Sequence, residues 1–431
     1  MKKCLTRSIT AAMLIPATSA MLVHALPTHA ASVGHQPTAI AATNQANLKT
    51  VFEQASKAVQ GQSINTLKAK YHLQATKYVD QASYLDHVSD FYHSYNPQLG
   101  AQRFMEEILA RQLVDKAFNL SHANDISHAW SAYFLYDAGF DRNGKLFQMI
   151  GPSPQPEPNL PKRQIPVTEQ ATGKLMNLNA FYLDQGSDTT IVATGGFRGN
   201  GWDITSPEVQ ILKSFGYNVL MTEPRSSGTS QGTYISLGYY EKDDFAAWVH
   251  DEINLKPTQK ILLYGGSMGA AVAMGALNNN LPQNVKGLVE ISGYTAIDQQ
   301  MTDVYNALSK TMGPTVADLL GFTAVQRAAT FNLLEQQLLL PNVKMPFKSD
   351  LPLQGVQSTT LPKLFIHGDA DKIVPEQNAQ LLFDKASGTE NRLEIVHGAT
   401  HGGDIFVGDM GKQTQNAMQT FFESTIKNAA K

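Results

Sequence analysis

The chain has 431 residues, of which 16% are charged, and a formal net charge of −3; typical soluble domains carry about 25% charged residues. So low and nearly balanced a charge excludes a basic face for nucleic acid and an acidic tail. The length exceeds one ordinary domain and fits one large α/β domain with an appendage, so two units are expected.

Lys2, Lys3 and Arg7 precede a mostly apolar or small stretch from Ile9 to Val23, and Thr28-His29-Ala30 offers a small-x-small site before Ala31. These are the parts of a secretory signal. We read residues 1–30 as that signal, cleaved after Ala30 with Ala25 as a second candidate, and the product as secreted or held at the cell surface. An uncleaved anchor is the alternative, but the stretch is short for a span of about 20 residues and Pro16 interrupts it. The only cysteine, Cys4, lies in the segment to be removed. The mature chain would then have no thiol, which excludes a disulfide scaffold and a cysteine nucleophile and suits a Gram-positive bacterial exoprotein. No other stretch is long and apolar enough to cross a bilayer, so no stable membrane insertion is expected.

Helical spacing runs from 44 to about 128, as in Val51-Phe52, Ala55, Ala58-Val59 and again Phe104, Ile108-Leu109, Leu113-Val114. This predicts a helical N-terminal region over 31–150. It contains His72, His87, His93, His122 and His128, but no metal-binding pattern, and no metal is expected. Pro152, Pro154, Pro156, Pro158 and Pro161 follow, an extended linker or surface strap over 151–166.

From there short apolar strands alternate with helical patterns, the mark of a mostly parallel sheet covered on both faces. Expected strands are Met176 to Leu183, Thr190 to Ala193, Tyr217 to Met221, Ile261 to Tyr264, Val285 to Ile291, Lys363 to Ile366 and Arg392 to Val396. Helices fit at Pro207 to Ser214, Tyr240 to Ile253, Met268 to Leu277, Glu376 to Ala386 and Gln413 to Ala429. Between two strands, residues 294–361 are rich in Leu, Met and Phe with helical spacing. A structureless loop of that length is improbable, so we read a helical cap over one sheet edge.

The chemistry centres on Gly265-Gly266-Ser267-Met268-Gly269, a G-x-S-x-G pattern between an apolar strand and a small-residue helix. A sharp strand-to-helix turn exposes its apex hydroxyl beside a helix N-terminus, with glycines where side chains would collide. Ser267 is the candidate nucleophile. A serine needs a general base, and the base needs an orienting carboxylate. Two later strand ends supply both types: His367-Gly368-Asp369-Ala370-Asp371 with Val374-Pro375, and His397-Gly398-Ala399-Thr400-His401.

With these motifs in this order, the chain resembles the α/β-hydrolase superfamily, notably its bacterial serine-hydrolase, esterase-like and serine aminopeptidase-like members carrying H-G-x-x-D-x-x-V-P ahead of a late histidine. The resemblance covers roughly the last 270 residues. It implies an α/β-hydrolase fold over 167–431, with Asp371 as triad acid, His401 as base, Asp369 as a turn residue and His367 as structural. The oxyanion donors would be the N–H of Met268, after the nucleophile, and that of Phe197 in the loop Thr194 to Asn200. That loop usually begins His-Gly in the resembled group; here Gly195 departs from the pattern, which does not affect a backbone donor at Phe197. Glu223-Pro224-Arg225 has Glu where the group has Asp, and Arg225 with Asp244 reads as a structural ion pair. The implied activity is acyl transfer from a small ester, with a short peptide as the alternative substrate and a non-catalytic binding protein as the rival of another class. No cofactor is required.

Overall fold

The computed structural model describes residues 38–150, 157–199 and 202–428. The expected signal segment with Cys4, together with Pro152, Pro154, Pro156 and Asn200, lies outside them.

Six helices come first: α1 Thr38–Val59, α2 Ile64–Tyr71, α3 Gln81–Ser94, α4 Gly100–Phe118, α5 Ala123–Gly139 and α6 Lys145–Ile150. Two of them begin at side-chain caps. Ser63 accepts the N–H of Thr66 at 3.1 Å and Asp80 that of Ser83 at 2.8 Å, which occupies amides that have no partner within a helix. The apolar spacing read from the sequence is what these helices bury, with Phe52, Ala55 and Val59 on α1 and Phe104, Ile108 and Leu109 on α4 inaccessible to solvent. Phe91 stacks on Phe104 with ring centres 5.5 Å apart, and Trp130 meets Phe91 edge-on at 5.4 Å. The histidines of this region hold ordinary partners: His87 bonds Thr76 at 3.0 Å, His93 bonds the Ser89 carbonyl, and His122 stacks on Tyr78. Among the described residues no group of acids, histidines or cysteines is arranged to hold a metal ion, and no helix is long and apolar enough to cross a membrane.

One eight-stranded sheet follows, from β1 Lys162–Thr168, β2 Leu175–Leu183, β3 Thr189–Thr194, β4 Asn218–Thr222, β5 Lys260–Gly266, β6 Val285–Ile291, β7 Lys363–Gly368 and β8 Arg392–Val396. Its order is β1-β2-β4-β3-β5-β6-β7-β8. β1 and β2 run antiparallel, as do β2 and β4, and every other pair is parallel. Every residue of β3 is buried, which suits a strand covered on both faces. β1 is a strand that the sequence does not predict, and it begins within the stretch 151–166 expected as an extended linker or surface strap. Only Ile165 of this strand is buried, and Pro166 sits in it, which an edge strand tolerates because one side of its backbone is unpaired.

Helices cover both faces. α7 Pro207–Ser214 and α14 Gly408–Asn428 pack Val209, Leu212, Met418, Phe421 and Phe422 against one side of the sheet. α8 Glu241–Leu255, α9 Met268–Ala276 and α13 Gln377–Lys385 cover the other. The cap expected over 294–361 is helical: α10 Ile297–Leu320, α11 Arg327–Leu333, a π-helical stretch Leu334–Val343 and α12 Leu351–Ser358. Inside α10, Gly313 leaves the helical region (φ 74°, ψ 162°) ahead of Pro314, whose ring disfavours a helical residue before it.

The cap rests on the N-terminal helices. Ser131 and Thr330 hydroxyls bond at 2.8 Å, Lys116 donates to the Leu319 carbonyl at 2.6 Å, and Phe134 meets Phe322 at 5.4 Å. At Gly321 an added Cβ would stand 2.7 Å from the Ser127 carbonyl, so glycine permits this approach. One apolar core runs from the N-terminal helices through the cap to the α9 face of the sheet. Each large side chain fully buried there contributes about 1.5–3 kcal/mol relative to exposure.

Candidate active site

β5 ends at Gly266, and α9 begins at Met268. Between them Ser267 adopts φ 55° and ψ −120°, a conformation that costs a non-glycine residue about 1–3 kcal/mol and persists only where the surroundings fix it. They do so here. The Ser267 N–H donates to the Ile291 carbonyl on β6 at 2.7 Å, and the Ser267 carbonyl accepts from Ala270 and Ala271 at the start of α9. Two of the three glycines are sterically required: a Cβ at Gly265 would lie 2.2 Å from the Gly269 carbonyl oxygen, and one at Gly269 would lie 2.3 Å from that of Thr194. At Gly266 the nearest atom would be 3.5 Å away, so that position has room.

The two glycines therefore do different things. Gly265 lets the strand turn into the helix, and Gly269 lets the end of β3 press against the helix start. The loop Thr194 to Gly199 is thereby brought beside the elbow, with Phe197 buried in it. Met268 is the first residue of α9, where amide groups lack a partner within the helix. The next loop residue, Arg198, has φ 49° and is buried against the N-terminal helices, its guanidinium 4.0 Å from the Phe147 ring and bonded to the Asp141 carbonyl. α6 thus borders the loop of the candidate oxyanion donor.

Ser267, His401 and Asp371 meet as one hydrogen-bonded chain. Ser267 Oγ lies 2.9 Å from His401 Nε2, and His401 Nδ1 lies 2.6 Å from Asp371 Oδ2. An ionised carboxylate only accepts, so Nδ1 carries hydrogen and Nε2 is left to accept from the serine hydroxyl. All three residues are at most 8% exposed. Asp371 is held in place by its other oxygen, which accepts the N–H groups of Ile373 at 2.8 Å and Val374 at 3.0 Å. Burial alone would raise its pKa, but the charge on His401 and hydrogen bonds from His367 and His401 outweigh that and hold it well below the usual carboxylate range.

The alternatives from the same two loops are kept apart from this chain. Asp369 accepts from His397 Nδ1 at 2.8 Å and from the Gly398 N–H at 2.6 Å, at the surface. His367 is fully buried, with Nε2 2.8 Å from the Val374 carbonyl oxygen and 3.3 Å from Asp371 Oδ2. It borders the acid, a contact that the sequence reading did not contain. Arg225 and Asp244 form a buried two-bond ion pair at 2.7 and 2.8 Å, away from the serine chain of contacts. Glu223 accepts the N–H and hydroxyl of Thr229, so the longer acid caps this turn.

Residues 189–337 match the family model described as serine aminopeptidase, S33. A Synechocystis protein described as "Putative non-heme chloroperoxidase" is 27% identical over 254 residues, 52% of this chain and 88% of that one. Among solved structures, an esterase of Pyrococcus furiosus is similar with 20% identity and a TM-score of 0.46, covering 64% of this chain and 97% of the other. A bromoperoxidase of Bacillus anthracis is similar with 17% identity and a TM-score of 0.40 over 60% and 100%. With the strand order β1-β2-β4-β3-β5-β6-β7-β8 and the serine elbow after β5, the chain has the α/β-hydrolase fold, and the family it matches across the elbow is one of hydrolases.

Proposed function

We propose that the protein is a secreted serine hydrolase that cleaves a carboxylic ester through an acyl-enzyme. The observation that carries this reading is the continuous contact from Ser267 Oγ through His401 to Asp371, at 2.9 and 2.6 Å. Ser267 Oγ attacks the ester carbonyl carbon while its proton passes to His401 Nε2. Asp371 keeps the imidazole oriented and balances its positive charge. The oxyanion is met by the N–H groups of Phe197 and Met268. Collapse expels the alcohol, which takes the proton from His401; water then repeats the sequence on the acyl-enzyme, releasing the acid and restoring the serine. Every step uses the chain's own groups, with a small ester as the partner.

Secretion rests on the basic, apolar and small-x-small parts of residues 1–30. The Pyrococcus neighbour's description as an esterase agrees with an ester substrate. A peptide bond is the second reading, favoured by the description of the matching family model as a serine aminopeptidase. Retention of all three of Ser267, Asp371 and His401 in one hydrogen-bonded chain argues against a non-catalytic binding protein, since a scaffold needs none of them.

The test is to label the mature protein with a fluorophosphonate and compare esters of graded acyl length with aminoacyl amides. Ser267→Ala should abolish labelling and lower turnover on the order of 10⁴-fold or more. Ester hydrolysis at the parent rate in that variant sinks the proposal, and faster cleavage of aminoacyl amides than of any ester transfers it to peptides.

A further inference from the structure

The loop that carries the candidate oxyanion donor Phe197 is held in shape by residues from outside the sheet. Gly196 to Gly199 form a tight turn, closed by the Gly199 N–H on the Gly196 carbonyl at 3.3 Å, and the Gly199 carbonyl accepts the Gly228 N–H at 2.8 Å. Phe197 and Arg198 are the two central residues of that turn, so its geometry sets where the Phe197 N–H points. Arg198 has φ 49°. Turns usually give such a position to glycine or asparagine, because other side chains are strained there unless their surroundings hold them.

The N-terminal region does the holding. The Arg198 guanidinium lies over the Phe147 ring, 4.0 Å from its centre, and Nη2 donates to the Asp141 carbonyl. Burial pushes Arg198 down to about 10, with Asp137 and Asp141 working the other way, so it is a cation at neutral pH, drawn to the face of the ring. Its Nε and Nη1 are buried without a partner, which makes an arginine a costly way to fill this space. The corner that supplies both partners is itself fixed. Beside the Asp141–Tyr234 bridge, the Arg142 N–H donates to the Thr233 carbonyl at 3.0 Å and the Ile235 N–H to the Phe140 carbonyl at 2.9 Å. Arg142 Nη1 reaches the Ser230 carbonyl at 2.7 Å. Asp137 accepts the N–H groups of Lys145 and Leu146 at 3.1 and 2.9 Å, which sets the start of α6 and with it Phe147. Segment 228–235 thus grips the oxyanion loop at one end and the N-terminal corner at the other.

We propose that the N-terminal helical region is a working part of the active site, with Arg198 as a positioning residue: clamped between the Phe147 ring and the Asp141 carbonyl, it fixes the turn that presents the Phe197 N–H to the oxyanion. The inference rests on the reading of Phe197 as an oxyanion donor. Releasing the clamp should weaken the hold on the transition state, where the oxyanion forms, and leave substrate binding and the contacts of Ser267, His401 and Asp371 as they are.

Kinetics and a ketone inhibitor test this together. With p-nitrophenyl acetate as substrate, Arg198→Met should lower kcat by about tenfold to a hundredfold at nearly unchanged KM, the scale of a misplaced donor. Phe147→Leu should lower it by about three- to tenfold, and Phe147→Tyr, which keeps a ring beneath the guanidinium, should recover most of that loss. Trifluoroacetone reports on the oxyanion itself. Ser267 Oγ adds to its carbonyl carbon, the hydroxyl proton passes to His401, and the carbonyl π pair becomes the negative oxygen. Its inhibition constant should rise in Arg198→Met by about the factor that kcat falls, while the pH profile of kcat/KM stays parental. A folded Arg198→Met with parental kcat overturns the proposal. So does a fall in kcat with undiminished affinity for trifluoroacetone or with a displaced pH profile, since the damage then lies outside the oxyanion. If Arg198→Met does not fold, parental kcat in Phe147→Leu overturns it. Phe197→Pro separates the two levels, because proline suits this turn position and lacks the amide hydrogen. Undiminished trifluoroacetone affinity in Phe197→Pro removes the donor itself, whereas a loss there beside an unaffected Arg198→Met removes only the clamp.

Discussion

Two Asp–His pairs hang from the same two loops, made of the same atoms at nearly the same separation. Asp371 and His401 lie 2.6 Å apart with side chains at most 1% exposed; Asp369 and His397 lie 2.8 Å apart, with the His397 side chain 85% exposed. Contact geometry alone does not distinguish them. Their surroundings do. The inner pair reaches a serine hydroxyl and sits where water cannot screen its charges, whereas the outer pair closes a surface turn and is solvated. What sets one acid–imidazole contact apart from the other is what lies on its far side.

Exchanging the roles is the most direct way to break that contrast. Removing the inner imidazole in His401→Ala should lower ester turnover on the order of 10⁶-fold, while His397→Ala should leave it within about twofold. Next, Asp371→Asn should lower kcat by about 10⁴-fold with little change in Asp369→Asn, and a reversed pair of results would move the role outward. Acid sensitivity is a smaller effect. Asp371 has a folded pKa below its unfolded value, so its stabilisation is present above the ordinary carboxylate range and is lost as pH falls through and beneath it. Melting temperatures from pH 7 down to 2 should therefore fall less steeply in Asp371→Asn than in the parent, and hardly differ in slope for Asp369→Asn. The smallest change is spectroscopic. The hydrogen bond and charge of Asp369 raise His397, so its proton NMR titration should drop back toward about 6.5 in Asp369→Asn.

Much of the site is legible in the sequence because its parts are local signals. Strand, glycine-flanked serine and helix are contiguous from Ile261 to Ala276, and the candidate acid and base each lie in the loop that follows a strand. What was not legible depends on neighbours far along the chain. Glu290 reads as one charge within an apolar strand; only the β6–β7 register puts it on the sheet face that also carries His367. β1 carries too few buried residues to show a period, so its pairing with β2 was invisible. Helical periodicity gave the N-terminal helices and the cap separately, but periodicity does not tell one helix which other helix it faces. Their joining rests on close approaches such as Gly321 to Ser127, which no local pattern marks.

The joining has a consequence for how the chain acquires its structure. Ser131 and Thr330 are 199 residues apart in sequence, and Lys116 and Leu319 are 203 apart. A helical bundle is usually a fast-folding, local object, because its contacts close short loops. Here these N-terminal helices complete their packing with helices made some two hundred residues later, after most of the sheet. Until then the faces that meet the cap, at Lys116, Ser131 and Phe134, have no native cover, so the completion of this region is bound to the emergence of the C-terminal half. A nascent or truncated chain that stops before the cap would present those faces to chaperones, to proteases or to other copies of itself.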